Sequence, residues 1–250
     1  MKALITGATS GIGLNIAKNL RKRGWELILT GRNEEVLEKL QKRFGNCEII
    51  AADLSERSEV FKVYEFCRGK GVDMLVNNAG YGIFGKFYET DLDDELNMIN
   101  VNIAAVHILM KLFLRDFRNQ NHGIILNVAS SAGFLTGPLL SSYYASKNYV
   151  VRLSLAAAEE LRREKSDVKI TVLCPGPVDT QFNNRAGVSF SMRPISAEYA
   201  AEYAVRSALS GKLIAVPGLT VRLGVMAAKY VPHKLLARLV YGMQERKKSL

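Results

Sequence analysis

Short apolar runs alternate with longer amphipathic stretches along almost the whole chain, and this alternation restricts the fold more than any other feature. KALITG (2–7) leads into a helical pattern over 12–24, where Ile12, Ile16, Ala17 and Leu20 share one stripe before Gly24. ELILTG (26–31) precedes NEEVLEKLQKRFG (33–45), whose Val36, Leu37, Leu40 and Phe44 fall on one helical face, with Asn33 as its cap. Further strands are expected at 47–54, 72–80, 123–131, 168–176 and 212–218, and further helices at 56–70, 91–119, 142–166 and 196–211. A chain that alternates in this way builds a parallel sheet through right-handed crossovers, with helices over both faces. The unbroken apolar character of LILT and GIIL fits strands covered on both sides. The expectation is one α/β domain over 1–218, a doubly wound parallel sheet of about seven strands. A helical extension over 219–250 follows it.

The first strand runs into TGATSGIG (6–13), which opens a helix. Its glycines let the backbone turn tightly and approach a pyrophosphate, and the helix behind them presents free N–H groups and its positive dipole end. Gly7, Thr9, Ser10, Gly11, Ile12 and Gly13 are therefore candidates for holding a dinucleotide in a Rossmann arrangement, although the spacing is GxxxGxG rather than GxGxxG. The second strand ends at Arg32, with no acid before Glu34. An acid near this place holds a ribose 2′-hydroxyl, whereas a basic residue accommodates a 2′-phosphate. A guanidinium also takes phosphate bidentately. Arg32 thus favours NADP(H); NAD(H), or a plain surface arginine, are the other readings.

A chain of 250 residues can bury a core without staples. Its 48% apolar and 23% charged residues exclude disordered, collagenous and coiled-coil classes. Cys47, Cys67 and Cys174 are odd in number and far apart, and His107, His122 and His233 form no local cluster. No metal site is expected, and a reducing, cytoplasmic setting is. The residues after Met1 lack the apolar core and cleavage site of a signal peptide. No apolar run of about 18 residues announces a membrane-spanning helix. The formal net charge is +10, and Lys212 to Leu250 holds eight basic residues against Glu245 alone. An anionic partner would be drawn there, but no nucleic-acid motif accompanies the charge.

In SYYASK (142–147), Tyr143 and Lys147 stand at i and i+4 and share a helix face. A nearby ammonium favours phenolate and lowers a tyrosine pKa, and such a phenol can exchange a proton with an alkoxide. Tyr144 has Asn148 at the equivalent spacing and no lysine. Ser130 lies upstream in NVASSAG, NNAG occupies Asn77 to Gly80, Asn102 sits in NVNIAA, and CPGPVDT runs from Cys174 to Thr180. Together and in this order these motifs resemble the short-chain dehydrogenase/reductase family, over nearly the whole chain up to about Thr180.

The resemblance implies roles. Tyr143 would be the general acid/base, Lys147 would tune it and hold the nicotinamide ribose, Ser130 would bond the substrate carbonyl, and Asn102 would sustain a water relay. Asp53 and Leu54 would sit by the adenine, with Asn78, Ala79 and Gly80 against the cofactor. Pro175, Gly176, Val178 and Thr180 would fold over the nicotinamide. Plainer readings stay open: Asn77 and Asn78 as strand-end braces, Ser131 in place of Ser130, and Asp53 as a helix cap.

The chain continues for 32 residues after Gly218, which resembles the branch that includes hydroxysteroid and long-chain ketone reductases. The segment 183–196 would be a substrate lid, with Val188, Phe190 and Met192 suited to a lipophilic ligand. Leu235, Leu236, Leu239, Val240 and Met243 form an apolar stripe expected to cover the cleft or a second subunit, or to touch an anionic membrane. The expected activity is NADP(H)-dependent interconversion of a ketone and a secondary alcohol, on a steroid or long-chain acyl compound, by a homodimer or homotetramer. The alternatives are a reductase of small or carrier-linked carbonyls and a non-catalytic cofactor sensor. A complete Asn102, Ser130, Tyr143 and Lys147 set favours the enzyme.

Overall fold

A computed structural model describes residues 1–180 and 194–245. Strands β1 (Lys2–Thr6), β2 (Glu26–Gly31), β3 (Cys47–Ala51), β4 (Met74–Asn77), β5 (Ile124–Val128) and β6 (Lys169–Leu173) are joined by helical crossovers. β7 (Val178–Asp179) and β8 (Ile195–Ser196) pair with each other, and β9 (Ile214–Ala215) closes the far edge of the main sheet. Among the described residues that sheet has seven strands, all parallel, in the order β3-β2-β1-β4-β5-β6-β9. The chain winds outward from β1 to β3, then crosses back to lay β4 on the other side of β1. That reversal opens a crevice beyond the carboxyl ends of β1 and β4, the place where doubly wound sheets bind ligands.

Alternate side chains of each strand feed two cores. Ala3, Ile5, Leu27, Leu29 and Val76 meet Ile16, Ala17 and Leu20 of α1 (Gly11–Lys22) and Leu37 and Leu40 of α2 (Glu34–Phe44). Leu4, Ile28, Leu75 and Ile125 face the other way, toward Val60 and Val63 of α3 (Arg57–Cys67). α4 (Leu92–Ile99), a wide π turn over Asn100–Ala105 and α5 (Val106–Gln120) run on as one helix. α6 (Ser141–Arg163) lies beside it, and α7 (Ala197–Leu209) packs on α1 through Ala201, Ala204 and Ala208. Caps fall where sequence puts them: Asn33 accepts from Val36 N at 3.0 Å and Ser196 from Tyr199 N at 3.1 Å.

Three expectations need correction. The last strand is short, pairing only Ile214 and Ala215 with β6. Pro217 has no N–H for a ladder, and the chain turns away at Gly218. The helix over Leu92–Gln120 is long and apolar enough to cross a membrane, although no such segment was expected. Asn97, Asn100, Asn102 and Lys111 interrupt its apolar run in the sequence. Its Leu109, Met110, Phe113 and Phe117 are committed to the core beneath the sheet. The tail stripe, finally, is split between two faces. α8 (Leu219–Ala228) and α9 (His233–Glu245) follow in the tail, and α9 buries Leu236, Val240 and Gln244 while Leu235, Leu239 and Met243 stay exposed. The lid residues Val188, Phe190 and Met192 lie outside the described residues.

Candidate active site

A cleft of about 880 Å³ occupies the crevice and brings together most of the residues singled out by sequence. Its cofactor-side wall holds Gly7, Thr9, Ser10, Gly11, Ile12, Arg32, Asp53, Leu54, Asn78, Ala79 and Gly80. Ser130, Tyr143 and Lys147 line the cleft too, as do Pro175, Gly176, Val178 and Thr180, the last lying so near the glycine loop that a Cβ on Gly11 would stand 3.2 Å from its methyl. Two candidates do not line it. Gly13 backs onto the Asn78 side chain and the Gly7 carbonyl. Asn102 is fully buried one layer behind.

The glycine loop is pinned from below. Asn78 Nδ2 donates to the carbonyls of Thr6 (2.9 Å) and Gly7 (3.1 Å), and Thr6 Oγ1 accepts from the backbone N–H groups of Asn78 and Ala79. Gly7 has φ +62 and its Cα lies so near Ala79 that a Cβ would come within 2.9 Å of it. Asn78 therefore braces the loop while also lining the cleft. Asn77 is buried behind it and donates to Asn127 Oδ1 at 2.9 Å. Asp53 lines the cleft with its carboxylate turned onto Ser55, accepting from its N–H at 3.0 Å and its hydroxyl at 2.8 Å.

The catalytic candidates converge around Gly80. A Cβ there would stand 2.9 Å from Asn102 Oδ1 and 3.2 Å from Lys147 Nζ, so only glycine lets both approach. Asn102 belongs to the π turn, a widening that often marks functional positions. Its Nδ2 donates to the Tyr81 carbonyl (2.9 Å) and Ser146 Oγ (3.0 Å), and its Oδ1 accepts from Tyr81 N (3.1 Å). Lys147 Nζ donates to the Val128 carbonyl at 3.1 Å and lies 5.8 Å from the Tyr143 ring centre. Ser130 caps a short 3₁₀ turn, accepting from Ala132 N at 3.1 Å, and hydrogen-bonds the Tyr143 phenol.

Burial governs the charges. Desolvation pushes the Tyr143 phenol well above its ordinary value, against the lowering effect of Ser130. The same desolvation lowers Lys147 to about 8. Burial thus favours the neutral form of both groups, phenol over phenolate and amine over ammonium.

The sequence reading missed the far wall. Tyr81, Leu135, Leu140, Tyr144, Met243 and Gln244 also line the cleft. Tyr144 has no lysine one turn on, yet Gln244 Nε2 donates to its hydroxyl at 2.5 Å. Only the apolar stripe of α9 hinted at such a contact. No group of three or more metal-binding side chains occurs among the described residues.

The wall fits a dinucleotide: a braced glycine turn at the start of a 12-residue helix, with Arg32 at its rim. The short chain dehydrogenase family profile matches residues 1–188. The NADP-dependent (R)-specific alcohol dehydrogenase of Lentilactobacillus kefiri is 31% identical over 185 residues, covering 71% of this chain and 73% of that protein. A short-chain dehydrogenase from Sphingobium yanoikuyae in complex with NADPH superposes with a TM-score of 0.83 at 26% identity, over 91% of this chain and 92% of that one. A Burkholderia phymatum short-chain dehydrogenase/reductase in complex with NAD does so at 0.81 and 25%, over 90% and 91%. Profile, sequence relative and fold agree, and the chain belongs to the short-chain dehydrogenase/reductase family as an NAD(P)-dependent oxidoreductase.

Proposed function

We propose that the chain uses NADP(H) to interconvert a ketone and a secondary alcohol on a lipophilic substrate. The observation that carries this reading is the cleft itself: Ser130, Tyr143 and Lys147 line it between the glycine-loop wall and an apolar wall that includes Leu135, Leu140 and Met243. Reduction adds a hydride to the carbonyl carbon and a proton to its oxygen; a bound nicotinamide supplies the hydride. Tyr143 gives its Oη proton to the carbonyl oxygen, or takes it back in the reverse direction. Ser130 Oγ holds that oxygen. Lys147 and Asn102, together beside Gly80, return a proton toward the phenol through water.

Arg32 lines the cleft at the end of β2 and supports a preference for the 2′-phosphate. Oxidation of NADPH across a panel of ketones tests the whole reading, with steroids and acyl thioesters beside small carbonyls. Turnover of bulky apolar ketones is the expected result. Turnover confined to small carbonyls, or a preference for NADH in kinetic titration, would overturn the corresponding part.

A further inference from the structure

The exposed sides of α8 and α9 combine apolar residues with charge of one sign. Leu219, Leu223 and Met226 follow one another at four and three residues, a single stripe of α8, with Tyr230 in the turn beyond it, and all are exposed, Leu219 at 71% and Tyr230 at 88%. On α9, Leu235 and Leu239 are one turn apart and exposed, each preceded by an exposed basic residue, Lys234 and Arg238. Arg222 and Lys229 are exposed beside the first stripe. No acidic residue occurs between Glu202 and Glu245. This is not the face that packs on the domain, which uses Val225, Leu236, Val240 and Gln244.

We infer that the outer face of residues 219–239 docks on an anionic lipid surface. Apolar side chains enter the headgroup boundary while flanking basic residues meet phosphates. Tyr230 and Lys229 sit together at the turn between the helices, the pairing of aromatic body and long cation favoured at such boundaries. Charge decides against a second copy as the occupant. A two-fold contact through this face would set Arg222, Lys229, Lys234 and Arg238 against their own counterparts with no acid to offset them.

Sedimentation of the full chain with vesicles tests this without reference to ketone turnover. Binding is expected to vesicles of mixed phosphatidylglycerol and phosphatidylcholine, to weaken as salt rises, and to be slight with phosphatidylcholine alone. The triple variant Arg222→Gln, Lys234→Gln, Arg238→Gln should lose about fivefold in partitioning per charge removed. The variant Leu223→Gln, Leu235→Gln, Leu239→Gln should lose binding too, and both should keep the parent thermal midpoint. Absence of binding to anionic vesicles at low salt would overturn the inference, as would equal, salt-insensitive binding to neutral ones. An oligomer that the leucine variant dissociates, in a chain that ignores vesicles, would assign the face to a second copy instead.

Discussion

Gln244 and Tyr144 are 100 residues apart in sequence, yet the Gln244 amide donates a 2.5 Å hydrogen bond to the Tyr144 hydroxyl at the wall of the cleft. Tyr144 follows Tyr143 on α6, and the two rings meet edge to face with centres 6.1 Å apart. Its ring also packs on Gly137, where a Cβ would overlap it at 2.1 Å. Gln244 is 1% exposed. The last turn of α9 is therefore fastened next to the candidate proton donor.

Breaking that bond from one side should be worse than replacing both partners. Tyr144→Phe leaves a buried amide without its acceptor, which costs about 1–3 kcal/mol. Adding Gln244→Met removes the stranded group, and the double variant should recover most of the loss. Urea midpoints of the single and double variants check this; additive losses would show that the pair is not coupled. The same single variants should raise KM for bulky ketones several-fold and leave KM for NADPH unchanged.

Tyr143→Phe should lower kcat by about 10²–10⁴-fold, the usual worth of a positioned acid/base. NADPH binding, followed by fluorescence, should stay near the parent value, because the change keeps the ring and leaves the Asn78 brace of the glycine loop in place. Turnover within a few-fold of the parent would remove Tyr143 from the proposed mechanism.

What could be read from sequence was what is local or strongly patterned. The sheet was legible because short unbroken apolar runs, the mark of strands covered on both faces, alternate with longer stretches of 3.6-residue period. The Tyr143 and Lys147 pair was visible because one helix turn separates them. Gly80, Asn102 and Lys147 come from three separate segments, so only the resemblance to a family joined them. The Tyr144 contact had no local signal at all: the residue one turn on, Asn148, instead ties α6 to the carbonyls of Ala132 and Leu135. The two-sided use of α9 was hidden for a related reason. Leu235 and Leu236 are equally apolar, and only packing decides which of them faces the domain.

Arg32→Asp should weaken NADPH far more than NADH. Arg32 is exposed at the cleft rim, so the change leaves the core untouched. It removes a guanidinium that can hold phosphate bidentately and sets a carboxylate against the same anion. The ratio of kcat/KM for the two cofactors should invert or fall by at least about tenfold, roughly the 1.4 kcal/mol of one charge-assisted contact. An unchanged ratio would mean that Arg32 is a plain surface residue.

Lys147 should leave a mark on the pH dependence of stability. Burial lowers its folded value to about 8 from 10.5, so between those values the unfolded chain holds the proton more often than the folded one. Stability rises with pH wherever the unfolded state binds more protons. The penalty is thus full below pH 8 and is relieved as pH climbs through the window, by an amount on the order of 3 kcal/mol. Other buried groups oppose this. The thiols of Cys47, Cys67 and Cys174 are raised by burial to between about 11 and about 12, so they withdraw stability above their ordinary value of 9.0. Tyr143, raised likewise, withdraws it above 10.0. The cleanest reading is therefore a difference. Lys147→Met removes the rising contribution and keeps the others, so the parent should gain on the variant steadily between pH 8 and 10. Urea unfolding of both chains at half-unit steps measures that gap, and parallel curves would show that Lys147 carries its proton in the folded protein throughout.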